Sequence, residues 1–492
     1  MKSQTYEVSR LTARADAYKT LRCKPGFEQR GAVCQPEGRG KKLGSIVLQQ
    51  HQERIADKLE HQKGLIVYHG LGSGKTLAGI NAAENYGGAV VVTPASLRDN
   101  FRKELVKAKA KGKYDIYSYE TFSKNPPDLK DRMLLIDEGH RLRNSNTQRS
   151  QSALESGKDA KKILLLTGTP IQNKPHEIAP LVNLVSGENI FPLSEKAFND
   201  KYIQTNIKRP GFFGKLFNVP TTKELKPKNL NDFRNKASKY VDHYSPKKDG
   251  YPTVETHSVD VPMSQDQQKT YLLLQKQMTP ALRYRLKNSL PPSKSESNDL
   301  NVFINASRQI SNSAHGFNRN STEVSPKIQK VVDKVSESKQ PALIYSNYID
   351  SGVDRISQEL KKKDVSHDVF TGKLNDKEKK RIVDGYNSGK TQVLIVSSAG
   401  GEGLDLKGTR QVHVMEPHWN DPKIEQVIGR AARFKSHDHL PESDRNVQVF
   451  KYISTFPKNN IWDKDMPTAD QYLDALSKKK NLLNQAFLET LK

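Results

Sequence analysis

The chain has 492 residues, 35 % hydrophobic and 27 % charged, which on a prior of ~150 residues per domain suggests about three domains. Its formal charge of +25, from 80 basic and 55 acidic residues, indicates either a polyanionic partner, most simply nucleic acid, or a basic surface without one. The sequence has only two cysteines, which excludes a secreted fold built on disulfides. It also has no apolar run long enough for a signal peptide or a membrane span. We therefore expect a protein of a reducing compartment, the cytoplasm.

Residues 1–47 form an expected basic extension, with ten basic against four acidic side chains. In residues 48–190, short apolar runs alternate with helical patterns. Runs of this kind, each ending in polar or turn residues, are typical of buried parallel strands. The alternation predicts an α/β lobe around a parallel sheet. The runs are GLIVYHG (64–70), AVVVTP (89–94), YDIYSY (114–119), RMLLIDE (132–138) and KILLLTGTP (162–170).

The first of these runs leads into HGLGSGKT (69–76) and then into a helical pattern. A glycine-rich turn in that position points successive backbone N–H groups at a phosphate. Lys75 would reach the β- and γ-phosphates, and Thr76 would ligate Mg²⁺. The strict phosphate-loop pattern has glycine where His69 stands, so only GLGSGKT matches. The predicted ATP contacts in the loop are Gly72, Gly74, Lys75 and Thr76.

The segment LLIDEGHRLRN (134–144) ends an apolar run in two carboxylates. A bare carboxylate is costly to bury, so the strand either ends at the surface or its acids hold a cation. The carboxyl ends of parallel strands share one edge of a sheet with the phosphate loop. We therefore predict that Asp137 holds the Mg²⁺ that Thr76 also contacts, and that Glu138 polarises the attacking water.

Residues 191–325 lose this rhythm and predict a basic, mostly helical insert with helices near 265–288 and 300–315. Positions 201–250 carry twelve basic and four acidic residues. A second α/β rhythm occupies residues 326–460, and residues 461–492 form an expected helical tail. The runs of this second lobe are PALIYSN (341–347), DVFTG (368–372), QVLIVSSAG (392–400), QVHVMEP (411–417) and NVQVFKYI (446–453).

Taken in order, these segments resemble the motifs of a superfamily-two helicase core with two RecA-like lobes. The phosphate loop is similar to motif I, DEGH (137–140) to motif II, and LQQHQ (48–52) to the upstream glutamine motif. The branch resembles the Swi/Snf-type ATPases, and GRAARFKSHDHLPESDRNVQVFKYI (429–453) resembles compact viral and phage members such as the poxvirus nucleoside triphosphatases. Motifs Ia, III, IV, V and VI are matched by TPASL (93–97), LTGTPIQN (166–173), IYSN (344–347), SSAGGEGLDL (397–406) and QVIGRAAR (426–433).

The resemblance implies roles at the nucleotide. Gln52 would read the adenine edge of ATP. Arg430 and Arg433 would act across the cleft as arginine fingers on the transition-state charge. Gly403 and Asp405 would lie near the ribose.

The resemblance also implies coupling to nucleic acid. His140 and Thr167–Thr169 would link the state of the γ-phosphate to the nucleic-acid groove. Gripping the backbone is independent of sequence and sensitive to salt. The candidate contacts to backbone phosphates are Thr93, Ser346, Asn347, Thr371 and Ser398.

The expected function is an ATP- and Mg²⁺-dependent motor moving on double-stranded DNA, in the host cytoplasm or the virion of a virus or phage. Motif I differs from the DEMGLGKT of the remodelling enzymes and no chromatin-reading domain is visible, so nucleosome remodelling is not expected. Two alternatives stay open: a strand-separating DNA or RNA helicase, and an ATP-switched accessory factor of viral transcription or packaging proteins. KRPGFFGKLF (208–217), with Phe212 and Phe213, is the candidate wedge for strand separation.

Overall fold

The computed structural model describes residues 27–30, 33–36, 41–70, 72–208, 222–245, 250–293, 295–318, 323–398, 404–417, 421–457 and 466–492. Ahead of the first helix lie two small antiparallel strand pairs. These are β1 (Phe27–Arg30) with β2 (Val33–Pro36), and β3 (Lys42–Leu43) with β4 (Ile46–Val47). Gly403 and the expected wedge residues Phe212 and Phe213 lie outside the described residues.

Lobe 1, within residues 50–244, is built on a six-stranded parallel sheet. Its strands are β5 (Gly64–His69), β6 (Gly88–Thr93), β7 (Lys113–Ser118), β8 (Met133–Ile136), β9 (Lys162–Thr167) and β12 (Val241–Tyr244), and a hairpin of β10 (Ile203–Lys208) and β11 (Thr222–Pro227) precedes the last. The spatial order is β12-β5-β9-β8-β6-β7, with every pairing parallel. All residues of β6 and β8 are buried, because helices cover both faces of the sheet.

Eight α-helices belong to this lobe in the described chain. They are α1 (Gln50–Glu60), α2 (Lys75–Glu84), α3 (Arg98–Lys107), α4 (Tyr119–Lys124), α5 (Gln148–Ser156), α6 (Ile178–Ser186), α7 (Glu195–Tyr202) and α8 (Leu230–Ala237).

Lobe 2, within residues 253–455, has a second six-stranded parallel sheet. Its strands are β13 (Thr253–Pro262), β14 (Ala342–Ser346), β15 (His367–Phe370), β16 (Val393–Ser397), β17 (Gln411–Val414) and β18 (Asn446–Thr455), in the spatial order β13-β18-β17-β14-β16-β15. The helices that follow lobe 1 are α9 (Gln265–Lys276), α10 (Pro280–Lys287), α11 (Ser297–Asn312), α12 (Pro326–Ser338), α13 (Asp354–Lys362), α14 (Asp376–Asn387), α15 (Asp421–Ala431) and α16 (Ala469–Glu489). The prediction of two RecA-like parallel-sheet lobes is confirmed, and all ten apolar runs contain strands.

Four described strands lie within the residues expected to form the helical insert: β10 and β11 pair with each other, and β12 and β13 join the sheets of the two lobes. β12 pairs with β5 in lobe 1, and β13 pairs with β18 over its whole length in lobe 2. β13 forms the edge of its sheet and most of its residues are exposed, so its sequence TVETHSVDVP has no apolar run. Its edge position therefore explains why hydrophobic periodicity did not predict it.

The helical part of the insert is divided differently from the prediction. The helix expected over residues 265–288 is two helices, α9 and α10, separated at residues 277–279. Thr279 caps the second helix by accepting a hydrogen bond from Leu282 N–H, and Pro280 occupies its first turn. Proline lacks the N–H that continuing α9 would need, so the first helix ends before it.

The C-terminal helix α16 contacts both lobes. Tyr472 is buried in a core with residues of α9 to α11, and its hydroxyl donates to Leu290 O at 2.6 Å. Phe487 is buried in the core of lobe 1, and Asn484 Nδ2 donates to Gln172 O at 3.0 Å. The helix therefore connects the lobes. None of the described helices is both long and apolar enough to span a membrane.

Candidate active site

The phosphate-loop segment joins β5 to α2. Gly72 and Gly74 both have φ of +74°, in the left-handed region that favours glycine. A Cβ at Gly74 would collide with Gln52 Nε2, and one at Gly72 would lie 3.0 Å from Tyr251 Oη. The left-handed backbone requires glycine at these two positions, whereas the nearest atoms that a Cβ would meet are the ends of side chains.

Two features of this segment fit a nucleotide phosphate. Lys75 Nζ donates to the carbonyls of His69 and Gly70 at 3.0 and 3.1 Å, so its ammonium is held at the loop. The hydroxyl of Ser73 is buried and has no hydrogen-bond partner among the described residues. An unpaired buried hydroxyl and an ammonium beside the start of a helix are donors suited to an anion.

The acidic pair lies at the carboxyl end of β8, with both side chains half-buried. Thr93 Oγ1 donates to Asp137 Oδ2 at 3.2 Å, and Glu138 N–H donates to Asp137 Oδ1 at 3.0 Å. Glu138 has φ of +51°, unusual for a residue with a Cβ. The hydroxyl of Tyr119 donates to the carbonyls of Asp137 and Glu138 at 2.7 and 3.1 Å, which stabilises this turn.

The two carboxyl groups have opposite pKa shifts. Burial and the neighbouring Glu138 charge raise the pKa of Asp137 to about 6. Burial would also raise the pKa of Glu138, but the hydrogen bond and charge of His140, with the charges of Lys75 and Arg430, lower it to about 2. A dication beside Asp137 would favour its ionised form, so the carboxyl fits a Mg²⁺ ligand.

Asp137 and Thr76 are the residues that could hold such an ion. Among the described residues no group of three or more His, Cys, Asp or Glu side chains could hold a metal. Mg²⁺ in nucleotide sites needs only one or two protein ligands, because phosphate oxygens and water supply the others. The donor set therefore fits a nucleotide-borne ion and not an all-protein metal site.

His140 and the motif III threonines lie beside the acidic pair. His140 is buried, with Nδ1 3.3 Å from Glu138 Oε2. Thr167 Oγ1 accepts from Thr169 N–H at 3.1 Å, and Thr169 Oγ1 accepts from Gln172 Nε2 at 3.2 Å. Gln172 in turn accepts a hydrogen bond from α16, so this loop contacts the tail helix.

The charges of the motif VI arginines, which belong to lobe 2, act on this site. Burial is the main cause of the lowered pKa of Lys75, and the charges of Arg430 and Arg433 lower it further against the opposing effect of the acidic pair. Arg430 also acts on Glu138. The nucleotide site thus includes charges from both lobes. Arg433 donates to Asp405 Oδ1 at 3.2 Å, so these two predicted site residues form an ion pair within lobe 2.

Gln52 lies against the phosphate loop. Its Oε1 accepts from Gln49 N–H at 3.0 Å, and its Nε2 donates to Ser73 O at 3.1 Å. Each end of the amide keeps capacity for one more hydrogen bond. The observed role of Gln52 is to stabilise the loop and the start of α1.

Three of the predicted nucleic-acid contacts are engaged inside the protein. Thr93 and Ser346 are fully buried, and Ser346 Oγ donates to Glu416 Oε1 at 2.7 Å. Asn347 donates to the same carboxylate from its backbone and side-chain nitrogens at 2.9 and 3.2 Å. A hydroxyl with no exposed surface cannot reach a nucleic-acid phosphate in this conformation. The roles of Thr93 and Ser346 as phosphate contacts stay predictions, and they require a conformation in which these hydroxyls are exposed.

The other two candidates lie at the surface of lobe 2. Thr371 follows β15 and is half-buried, and Ser398 follows β16 and is exposed. β15 and β16 are neighbours, so both residues lie at one edge of the sheet.

Sequence reasoning missed several residues that organise the site. Tyr119 and Glu416 act through hydrogen bonds to residues distant in sequence, and Tyr251 lies between the phosphate loop and lobe 2. The ring centroids of Tyr251 and Phe434 are 5.5 Å apart. Only the position of Phe434 directly after motif VI offered a sequence signal.

Two protein-family models match the chain, the SNF2-related domain over residues 47–315 and the Helicase conserved C-terminal domain over residues 326–435. The chain is 33 % identical over 473 residues to a "Putative ATP-dependent RNA helicase" of Acanthamoeba polyphaga mimivirus, covering 91 % of this chain and 98 % of the relative. It is 25 % identical over 550 residues to a "Termination factor NPH-I homolog" of African swine fever virus, covering 88 % and 76 %.

Two solved structures are also similar. The Hef helicase domain of Pyrococcus furiosus aligns with a TM-score of 0.44 at 16 % identity, covering 83 % of this chain and 96 % of that one. The Sulfolobus solfataricus SWI2/SNF2 ATPase core in complex with dsDNA aligns with a TM-score of 0.35 at 16 % identity, covering 89 % and 94 %.

Proposed function

We propose, from the premise that this chain belongs to the SNF2-related family of helicase-type ATPases, that it is an ATP-driven motor that moves along double-stranded DNA. The resemblance to Swi/Snf-type ATPases and their viral members is confirmed by the family match and the viral relatives. The family implies a nucleic-acid-dependent ATPase. The proposal goes beyond the family in two respects: the nucleic acid is duplex DNA, and the activity is translocation.

One observation carries the proposal: charges from both lobes act on the same lysine. Lys75 and Glu138 belong to lobe 1, whereas Arg430 belongs to lobe 2 and its charge acts on both. A site completed by two lobes couples hydrolysis to their separation, because loss of the γ-phosphate removes an anion that both lobes contact. Alternating grip by two lobes is sufficient for stepping along a strand.

The residues have distinct roles in the proposed reaction. Lys75 would contact the β- and γ-phosphates of the substrate ATP, and the amides of the loop would donate to them. Glu138 is ionised at neutral pH, so it can accept a hydrogen bond from the attacking water. Arg430 would stabilise the charge that develops on the transferred phosphoryl group. Mg²⁺, held by Thr76 and Asp137, would supply charge neutralisation between the phosphates.

Further roles complete the proposed site. Gln52 keeps hydrogen-bonding capacity for the adenine edge, and Asp405 would orient Arg433 towards the cleft. His140 would couple the state of Glu138 to the conformation of the neighbouring motif III loop. For nucleic acid we retain Thr371 and Ser398, which are accessible at the edge of the lobe 2 sheet.

The charge of the chain supports a polyanionic track, although it does not choose between DNA and RNA. The names of the relatives favour a second candidate, an RNA helicase, and a link to transcription termination. We propose a role beside viral transcription or packaging proteins, in the host cytoplasm or the virion, and the viral origin of several of its relatives supports this.

The deciding experiment compares ATP hydrolysis with duplex DNA, single-stranded DNA and RNA at equal phosphate concentration and fixed salt. We expect duplex DNA to stimulate at least as well as single strands. We also expect displacement of a triplex-forming third strand and poor unwinding of a tailed duplex. Strong preference for single strands or RNA, with efficient unwinding, would replace the translocase by a true helicase.

A further inference from the structure

The residue that opens the phosphate loop is held by a side chain of the neighbouring strand. His69 stands where the strict loop pattern has glycine, and its imidazole is fully buried. Its Nε2 lies 2.7 Å from Oδ1 of Asp242, which is also fully buried. Asp242 lies on β12, whose Tyr244 pairs in register with His69 on β5. The start of the loop is therefore tied to β12 through a side-chain hydrogen bond as well as through the sheet.

The direction of this bond follows from burial. His69 Nδ1 is buried and has no partner among the described residues, so a charged imidazole would bury an unpaired N–H donor. Burial lowers the pKa of His69 against the opposing effect of Asp242. The neutral imidazole thus donates from Nε2 to an ionised carboxylate, which is a charge-assisted hydrogen bond.

The same carboxylate is held by two cations of α1. Arg54 donates to Asp242 Oδ1 from Nη2 at 2.8 Å, and Lys58 Nζ lies 2.6 Å from Oδ2. The two cations are one helical turn apart, so they project from the same side of α1. They keep Asp242 ionised: burial would raise its pKa, but hydrogen bonds from His69, Arg54 and Lys58 hold it well below its usual range.

The far end of the loop is attached to the same two elements. His51 of α1 has Nε2 2.8 Å from Ser73 O, and its ring stacks on Tyr244 of β12 at 3.7 Å. Gly70 N–H donates to Tyr244 O at 2.9 Å. Both ends of the loop are therefore fixed to α1 and β12.

The start of the loop carries the carbonyls that hold the loop lysine. Lys75 Nζ donates to the oxygens of His69 and Gly70, so a shift of His69 would move its ammonium. We propose that His69 and Asp242 are positioning residues of the nucleotide site: their hydrogen bond fixes the loop so that Lys75 and the loop amides are in place before ATP binds. This inference rests on the proposed function for the nucleotide, but the rigidity of the loop can be measured without one.

The test uses His69→Gly, which restores the strict phosphate-loop pattern yet removes the bond. We expect it to raise the Kd for MgATP, and the KM, by on the order of tenfold, with a smaller change in kcat. His69→Gln keeps an N–H donor near the position of Nε2 and should remain close to wild type. Asp242→Ala should lose at least as much affinity as His69→Gly, because it also releases Arg54 and Lys58, and the double variant should be no worse than Asp242→Ala.

Hydrogen exchange without nucleotide measures positioning directly. Amides of residues 70–76 should exchange faster in His69→Gly and Asp242→Ala than in wild type or His69→Gln. His413→Gly is the matched control: His413 is equally buried and bonds to Tyr452 Oη at 2.9 Å in lobe 2. It should lower thermal stability without changing exchange in the loop. His69→Ala provides a second variant without the backbone freedom of glycine.

The outcomes test the positioning role of His69 separately from the proposed function. Wild-type exchange and nucleotide affinity in His69→Gly and His69→Ala would overturn the positioning role. Equal losses in His69→Gln and His69→Gly would do the same, because the donor would then be irrelevant. Failure of the wild-type chain to bind MgATP would refute the proposed function, whereas faster loop exchange in the variants would still support positioning.

Discussion

Removing the guanidinium of Arg430 is the sharpest test of a site shared by two lobes. Its charge acts on Lys75 and on Glu138, so it lies within electrostatic range of both predicted catalytic groups of lobe 1. Arginine fingers contribute about 10³-fold or more to turnover, which at ~1.4 kcal/mol per decade is about 4 kcal/mol of transition-state stabilisation. We expect Arg430→Ala to reduce kcat by at least that factor while nucleotide affinity changes much less, because the finger acts mainly in the transition state.

The assay is steady-state ATP hydrolysis with saturating duplex DNA, paired with nucleotide binding at equilibrium. Arg430→Lys keeps the charge but not the planar fork, and should lie between wild type and Arg430→Ala. Arg433→Ala should also reduce turnover. Arg381→Ala is the control, since Arg381 is an exposed arginine of lobe 2 that lies 3.6 Å from Asp368. Loss of affinity with preserved turnover in Arg430→Ala would refute the reasoning and make the arginine structural.

Three further predictions address hydrolysis, nucleic-acid binding and the tail. Glu138→Gln should bind ATP but hydrolyse it slowly, since the side chain keeps its shape but can no longer act as a base. A wild-type rate of hydrolysis in a single-turnover assay would contradict this. Neutralising Lys223, Lys226 and Lys228 together should reduce the slope of log affinity against log salt by about 0.9 for each phosphate that these lysines neutralise in the wild-type complex; an unchanged slope would make them a solvated face. Phe487→Ala should cost about 3–5 kcal/mol of stability in denaturant unfolding, because the residue is fully buried where α16 meets lobe 1; an unchanged midpoint would mean that this packing is dispensable.

Local patterns predicted most of the fold. The apolar runs that became β5, β6, β8 and β9 are buried on both faces, so hydrophobicity alone marks them. The same reasoning failed for β13, which is a mostly exposed edge strand. The break between α9 and α10 had a local signal in Pro280, but the helical periodicity on both sides concealed it.

The sequence by itself predicted the chemistry of the nucleotide site, since the loop and the acidic pair are short contiguous segments whose residue types suit a phosphate and a cation. It could not determine which partners surround them. His69 and Asp242 are 173 positions apart, and Ser346 and Glu416 are 70 apart. Only the tertiary structure decided that His69, which stands where the phosphate-loop pattern has glycine, is hydrogen-bonded to a buried carboxylate. It also decided that Ser346 forms its hydrogen bond inside lobe 2. Strand order and helix packing bring such residues together, and local periodicity carries no information about either.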